Sequence, residues 1–144
     1  MIVPRTSRHS VIAICAGGLA FNASVRNHTV FTDQPIRAGG MDSAPTPLEL
    51  LSASLATCIA LHIRQFCEEN SLSADGLAVE VKPIWRDPPG HIARFDVIVH
   101  VPDSFPAAYG ARIEEVVRLC PVYQTLIHAP EITVQCQEAV AVFQ

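Results

Sequence analysis

Residues 47–70 read PLELLSASLATCIALHIRQFCEEN, with no glycine anywhere and no proline after Pro47. Leucine and alanine dominate this stretch. Proline suits the first position of a helix, because the N–H that it lacks would have no partner within the helix. The stretch therefore predicts one long, mostly buried helix, and the rest of the fold is arranged before and after it.

This helix is expected to turn one apolar stripe inward, because its members recur at intervals of three and four residues. Cys58 belongs to the stripe and is expected to face inward from the middle of the helix. Polar side chains gather at the C-terminal end, which predicts that this end is the wetter one. The stripe is Leu48, Leu51, Leu55, Cys58 and His62, and the polar cluster is Arg64, Gln65, Glu68 and Glu69.

Three segments before the helix are rich in β-branched residues and are separated by glycine or asparagine, which predicts an antiparallel meander. They are Ser10–Gly17, Ala20–Asn27 and His28–Thr32. The meander is expected to end near Asp33, because glycine and proline then become too frequent for any periodic element.

The sequence after the helix predicts two more strands, two helices and a final strand. The two strands are joined by Asp87-Pro88-Pro89-Gly90, a typical turn sequence. The expected elements are strands at Gly76–Arg86 and His91–Val101, a helix at Ala107–Leu119 that Pro121 ends, a short helix from Pro121, and a strand at Glu131–Phe143. This order predicts an α+β fold with antiparallel sheets around one long central helix.

Composition narrows the classes of function. The chain has 144 residues, 49% of them hydrophobic, and a formal charge of −4 with Lys82 as its only lysine. This length fits a single domain over residues 1–144. The charge leaves no basic stripe for phosphates, so nucleic acid is not an expected partner. A mean hydropathy of +0.28 favours a chain that buries part of its surface in a homo-oligomer.

The longest apolar run, Val11–Ala16 with its extension to Phe21, is too short to cross a bilayer, so no membrane association is expected. Arg5 and Arg8 before this run resemble the start of a secretory signal, but two glycines interrupt the run, which suits a buried strand equally well. Five cysteines, an odd number in a chain with an adequate core, predict reduced thiols and a cytoplasmic location.

The cysteines differ in their sequence context. Cys15, Cys67 and Cys136 are expected to be buried small hydrophobic residues. Cys120 stands between a helix and Pro121, where the amides of the following turn could stabilise a thiolate, so it is a candidate nucleophile. The sequence around Cys58 does not by itself distinguish an inert core cysteine from a reactive one.

No motif indicates a cofactor or a metal. The sequence has no C-x-x-C or H-x-x-x-H pair, and His62, four residues after Cys58, is the one helical histidine with a thiol in reach. Gly17-Gly18 and Gly39-Gly40 lack the spacing of a phosphate-binding or dinucleotide-binding loop and are interpreted as turn glycines. Neither a metal nor a cofactor is expected.

Two motifs together resemble a known family. Residues 45–58, PTPLELLSASLATC, and the later Cys120-Pro121-Val122 are similar to the osmotically inducible protein C / organic hydroperoxide resistance (OsmC/Ohr) superfamily. The resemblance extends over nearly the whole chain, because the order of elements also matches. It implies an intertwined homodimer with active sites at the interface.

The resemblance also implies an enzyme, a cytoplasmic thiol-dependent peroxidase of the stress response. Cys58 would attack an organic hydroperoxide, Cys120 would resolve the product as a disulfide, and a dithiol such as a lipoyl protein would reduce it. An arginine held by a glutamate would activate the attacking thiolate. Arg37 is the first choice for that arginine, with Arg26 as the alternative, and Glu49 matches the carboxylate of the family motif.

Helix geometry qualifies the role of Glu49. Nine residues at about 100° each place it across a regular helix from Cys58, so it would act from a frayed first turn or from a partner subunit. The alternative function is a non-enzymatic dimer of the same fold that binds a small apolar or electrophilic ligand or senses oxidative stress. Sulfurs of Cys58 and Cys120 within reach of each other would favour the enzyme.

Overall fold

The computed structural model describes residues 10–87 and 90–138, and the chain divides into two compact units. The strand unit comprises the chain up to Thr57 together with Val79–Ile98. The helix unit comprises Cys58–Ala78 and the chain from Val99 onward. The expected organisation of residues 1–144 as a single domain stays a prediction.

The predicted meander is confirmed in the strand unit. Its strands are β1 (Ile12–Gly17), β2 (Ala20–Val25) and β3 (His28–Thr32), which pair in that order and antiparallel. Gly17 and Gly18 both have positive φ, at 113° and 55°, a conformation that glycine adopts at little cost and that allows the tight turn between β1 and β2.

The second predicted strand pair is also confirmed. β4 (Ala78–Arg86) and β5 (His91–His100) form a two-stranded sheet. Pro88 and Pro89 of the expected turn lie outside the described residues. The described sheets are therefore the meander and this pair.

The long helix α1 runs over Pro47–Glu69, as expected, and begins with a capping box. The Thr46 N–H donates to Glu49 Oε2 at 2.8 Å, and the Glu49 N–H donates to Thr46 Oγ1 at 3.2 Å. Each residue thus satisfies a backbone donor that the first turn leaves without a helical partner. Glu49 has a clear structural role at this helix end.

The buried face of α1 differs from the expected stripe. The buried residues are Leu55, Ile59, Ile63, Phe66 and Cys67, whereas Leu48 is 37% exposed and Leu51, Cys58 and His62 are half-buried. Leu55 is buried as predicted, but the predicted positions of Cys58 and His62 were wrong by about one residue of rotation, because α1 has apolar residues on most of its circumference and periodicity alone does not select a face. The C-terminal cluster is exposed, as predicted.

α1 is also less buried than expected: 28% of its most apolar 18-residue window is buried. That window has a mean hydropathy of 1.3, so by length and composition the helix could cross a membrane. This is a weak indication, since the core helix of a soluble protein passes the same test. The sequence analysis considered only the apolar run that begins at Val11 as a possible membrane span. Its expectation that the protein does not associate with a membrane stays a prediction.

The helix unit ends in two short helices. A 3₁₀ turn at Ala107–Tyr109 leads into α2 (Gly110–Arg118), and α3 covers Pro121–Ile127. The expected final strand is wrong for residues 131–138, which form no strand. No described strand pairs with this segment, and an extended segment without a partner cannot form ladder hydrogen bonds. The remainder of that strand lies outside the described residues, as do Arg5 and Arg8.

Many large apolar side chains are exposed in this single chain. The exposed fraction is 57% for Phe31 in β3 and 55% for Leu61 in α1. All six residues of β1 are exposed, Cys15 included, and Cys136 is exposed as well. The expectation that these two cysteines are buried was wrong, because neither segment is covered by other parts of the described chain.

The loop between β3 and α1 is closed around a buried carboxylate. Asp33 is 2% exposed, and its carboxylate accepts hydrogen bonds from Gln34 N–H at 2.7 Å, Met41 N–H at 3.1 Å, and the N–H and Oγ–H of Ser43 at 3.1 and 2.8 Å. These donors lower the pKa of Asp33 from 3.8 to about 2, with the Ser43 hydroxyl as the largest cause. The ionised carboxylate thus joins the two ends of the loop.

The capping box gives a first prediction. Thr46→Ala removes the acceptor for the Glu49 N–H and is expected to lower the free energy of unfolding by about 1 kcal/mol. Glu49→Gln is the matched control, because the amide oxygen can still accept the Thr46 N–H. Urea denaturation at one protein concentration measures both. Equal midpoints for Thr46→Ala and the parent protein would contradict the capping assignment.

The Asp33 carboxylate gives a second prediction. Because its pKa in the folded state lies below 3.8, the stabilisation is complete above about pH 4 and is lost as the pH falls towards 2. Asp33→Asn should remove this part of the acid dependence. Urea midpoints measured between pH 5 and pH 2 report it. A variant with the same acid dependence as the parent protein would refute the assignment.

Candidate functional site

The first predicted site residue, Cys58, lies in the middle of α1, at the beginning of the helix unit. The next residue, Ile59, is fully buried, as is Ile63 one turn further on. Cys58 itself is half-buried. The helix therefore holds this cysteine at the margin of the core.

The second predicted site residue, Cys120, is the N-cap of α3. Pro121 occupies the first helical position and favours an extended conformation in the residue before it, which Cys120 adopts with φ −61° and ψ 122°. Its Sγ accepts a hydrogen bond from the Tyr123 N–H at 3.5 Å. A sulfur thus occupies the position that an oxygen of serine, threonine or aspartate usually takes.

The structure brings the two sulfurs together. The Cys120 thiol is fully buried and is hydrogen-bonded to Cys58. Burial is the main cause that raises the pKa of Cys120, and the hydrogen bond with Cys58 raises it further, against the opposing effect of the Tyr123 and Val122 amides. Burial and the contact with Cys58 thus both favour the protonated form of Cys120.

This arrangement separates the two thiols by access. Cys58 is the more accessible sulfur, and Cys120 is a protonated thiol in direct contact with it. Both are free rather than joined in a disulfide. If Cys58 were oxidised, a second thiol would already stand beside the oxidised sulfur, which is the condition for forming a disulfide before further oxidation.

A third cysteine in the same unit has a different character. Cys67 is buried, as the sequence predicted. Burial raises its pKa, and the positive charge of Arg64 partly opposes this. A buried neutral thiol behaves as a small apolar side chain.

A groove of about 320 Å³ lies between α1 and α2 in the helix unit. The Arg112 guanidinium stands 5.1 Å from the centre of the Phe66 ring and 5.8 Å from that of Tyr109, within the range of cation–π attraction. The groove is lined by His62, Gln65, Phe66, Glu69, Arg112, Glu115, Val116 and Leu119. The sequence analysis named His62, Gln65 and Glu69 among these residues but not Arg112, which no motif marks.

The other predicted site residues belong to the strand unit. Arg37 lies in a 3₁₀ turn at Ile36–Ala38 and is exposed. Arg26, its alternative, lies in the turn between β2 and β3, with φ at 53°. Glu49 bonds the Thr46 backbone at the start of α1. The expected action of Arg37 and Glu49 on the attacking thiol stays a prediction.

The sequence analysis missed Asp33, which it treated only as the end of the meander. One signal was available: an aspartate followed at short distance by Gly39-Gly40 and a serine is typical of a loop that folds around a side-chain acceptor. Within residues 10–87 and 90–138, no group of three or more His, Cys, Asp or Glu side chains could hold a metal ion.

Comparisons with known proteins agree with this α+β architecture. The OsmC-like protein family model matches residues 40–135, which is more than half of the chain and includes both paired cysteines. The chain belongs to the OsmC-like protein family. No curated protein is similar enough in sequence to count as a match.

Several solved structures share the fold. A candidate osmotic stress induced and detoxification response protein from Psychrobacter arcticus 273-4 is 20% identical, with a TM-score of 0.73 over 87% of this chain and 91% of that one. An organic hydroperoxide resistance protein OsmC from Legionella pneumophila is 19% identical, with a TM-score of 0.57 over 84% and 91%. An organic hydroperoxide resistance protein from Elizabethkingia anophelis is 16% identical, with a TM-score of 0.60 over 87% and 90%. At these identities the likeness shows the fold alone.

The unequal thiols give a third prediction. With limiting iodoacetamide at pH 8, Cys58 should be alkylated well before Cys120, because Cys120 is fully buried and its raised pKa keeps it protonated. Peptide mapping by mass spectrometry measures each site, and the exposed Cys15 and buried Cys67 serve as internal references. Labelling of Cys120 as early as Cys58 would contradict the assigned order.

Proposed function

We propose that the protein is a thiol-dependent peroxidase that reduces organic hydroperoxides through a cycle of Cys58 and Cys120. The direct contact between the two thiols, one half-buried and one fully buried, is the observation that carries the proposal. Membership of the OsmC-like family supports it, as do the names of two structural neighbours from Legionella pneumophila and Elizabethkingia anophelis.

In the first step the Cys58 thiolate attacks one oxygen of the hydroperoxide. The O–O bond breaks, the alkoxide leaves and takes up a proton as the alcohol, and the cysteine becomes a sulfenic acid. Arg37 is proposed to stabilise the thiolate and the leaving oxygen, because a guanidinium stays charged in a poorly solvated site and can donate to both atoms.

In the second step the Cys120 sulfur attacks the sulfenic sulfur. A disulfide forms, and the sulfenic oxygen leaves as water with the proton that Cys120 carried. A dithiol then reduces the disulfide by two successive exchanges and is itself oxidised to a disulfide, which restores both cysteines. A lipoyl protein is one reductant of this chemical class.

We also propose that the working form is a cytoplasmic homodimer. The exposed apolar residues of the meander and of α1, among them Ile14, Phe31 and Leu61, form more apolar surface than a monomer usually leaves in water. Apolar surroundings would favour alkyl hydroperoxides over hydrogen peroxide, because each buried methylene of the substrate contributes about 0.8 kcal/mol.

One observation favours a second candidate function. The carboxylate of Glu49 is already engaged with the Thr46 backbone, which gives this motif residue a purely structural explanation. A protein whose Glu49 does only this could be a non-enzymatic dimer that binds a small apolar or electrophilic ligand, with Cys58 and Cys120 as a sensor of oxidation.

The peroxidase proposal gives a fourth prediction. With cumene hydroperoxide and dithiothreitol, the parent protein should turn over and Cys58→Ser should not, since the attacking sulfur is gone. In a separate reaction without dithiothreitol, the parent protein should consume about one equivalent and end as the Cys58–Cys120 disulfide, whereas Cys120→Ser should accumulate oxidised Cys58, because no second thiol traps the sulfenic acid. Peroxide consumption and mass spectrometry measure the two effects, with Cys15→Ser as the matched control.

Two results would overturn this proposal. One is full turnover by Cys58→Ser. The other is a parent protein that binds or becomes oxidised by the hydroperoxide without repeated turnover in excess dithiol, which would favour the non-enzymatic candidate.

A further inference from the structure

The groove between α1 and α2 begins beside the two paired cysteines. His62 lines the groove and follows Cys58 by four residues, so the two side chains lie on the same face of α1, one turn apart. From the α2 side the groove is lined by Leu119, which directly precedes Cys120. The groove therefore starts within about one helical turn of both sulfurs, and all of these residues belong to the helix unit.

The other end of the groove is marked by Arg112. Cys58 is in contact with Cys120, and Phe66, eight residues further along α1, lies under the guanidinium of Arg112, eight residues before Cys120. The two helices therefore run antiparallel along the groove. Eight residues of α-helix rise about 12 Å, so a guanidinium stands about this far along the groove from the sulfur pair.

This guanidinium is available to a ligand. Arg112 is exposed and packs on the rings of Phe66 and Tyr109 at 5.1 and 5.8 Å. None of the ion pairs found among residues 10–87 and 90–138 involves it. An arginine that aromatic rings already hold in place loses less freedom when it binds, and its planar group fits a carboxylate.

The remaining lining restricts the kind of ligand. Five of the eight lining residues are polar or charged, Glu69 and Glu115 among them. Their carboxylates disfavour an anion anywhere in the groove except beside Arg112. The lining offers little apolar surface to the alkyl group of a hydroperoxide, which gains most from apolar surroundings. It suits instead a water-soluble molecule that reacts at the sulfurs and carries one carboxylate at its far end.

We propose that this groove binds the reductant of the Cys58–Cys120 disulfide, a small dithiol with a carboxylate at its opposite end, and that Arg112 recognises the carboxylate. The inference rests on the proposed function, because it requires that disulfide as an intermediate. Arg112 would thus determine which dithiols the protein uses, while the chemistry takes place about 12 Å away.

The exchange steps follow from the unequal access of the two sulfurs. One thiolate of the bound dithiol attacks the Cys58 sulfur, which is the half-buried one, and Cys120 leaves and is protonated. The second thiolate of the dithiol then attacks its own sulfur in the mixed disulfide and releases Cys58. The dithiol ends as a disulfide, and its two protons pass to the two cysteines.

A matched pair of reductants tests the inference on the full chain. Dihydrolipoate and dihydrolipoamide have the same dithiol and the same alkyl chain, but only the first carries a carboxylate. With cumene hydroperoxide as the oxidant, the readout is the ratio of kcat/KM for the acid to kcat/KM for the amide. This ratio does not depend on how much of a variant is folded.

Four variants accompany the parent protein. Arg112→Ala removes the cation, Arg112→Lys keeps the charge but not the planar group, and Glu115→Gln removes a negative charge from the groove. Arg118→Ala is the matched control, because it removes a cation of the same helix that does not line the groove.

We expect the parent protein to favour dihydrolipoate about 5-fold, the upper range for an exposed ion pair, and Arg112→Ala to lose this preference. Arg112→Lys should keep part of it, and Glu115→Gln should increase it, because a like charge is gone. Arg118→Ala should not change it. Added salt should reduce the preference of the parent protein, since an exposed pair is screened.

Several results would overturn the inference. They are equal use of the two dithiols by the parent protein, the same change of ratio in Arg118→Ala, and an equal loss with both dithiols in Arg112→Ala. If Arg112→Ala fails to fold, an unchanged ratio in Glu115→Gln overturns it.

Two further outcomes identify what else the groove or the site would do. A preference for a carboxylate-bearing hydroperoxide over its methyl ester, lost in Arg112→Ala while the two dithiols stay equal, would assign the groove to the substrate and overturn the reductant assignment. A parent protein that turns over with neither lipoyl dithiol nor dithiothreitol would overturn the proposed function and, with it, this inference.

Discussion

The contact between two sulfurs is the constraint on which the site depends, and it exists because a cysteine caps a helix. Cys120 precedes Pro121, adopts the extended conformation of an N-cap, and has its sulfur fixed by the amides that begin α3. The same sulfur is held against Cys58 in α1. The two cysteines are distant in sequence and lie in contact without a covalent bond. The backbone conformation at each cysteine fixes the position of its sulfur.

The sequence predicted the elements of this fold well. Strong breakers bound each strand of the meander, and an uninterrupted run of helix formers marks α1, so local propensity and tertiary structure agree there. The prediction of a final strand was wrong for residues 131–138, because a strand needs a pairing partner and the local sequence does not show whether one is present. The buried face of α1 failed for a related reason: apolar residues surround that helix, and only its neighbours select which face is covered.

The site was predictable to a similar extent. Cys120 stood out by its position before a proline, and Cys58 became a candidate only through the family motif that contains it. What the sequence could not show was the difference in burial between them, since burial depends on the packing around each sulfur. Asp33 was missed because three of its four hydrogen-bond donors are backbone amides, and the glycines and serine that follow it are only an indirect signal of such a loop.

The N-cap role of Cys120 has a consequence for how such a chain can change over generations. Serine, with its hydroxyl oxygen, caps helices very well, so a single nucleotide change could replace sulfur by oxygen there and leave α3 intact. The stability of the fold therefore does not by itself conserve a cysteine at position 120. Selection for stability alone would allow serine to replace Cys120. Only selection for thiol chemistry would conserve the cysteine.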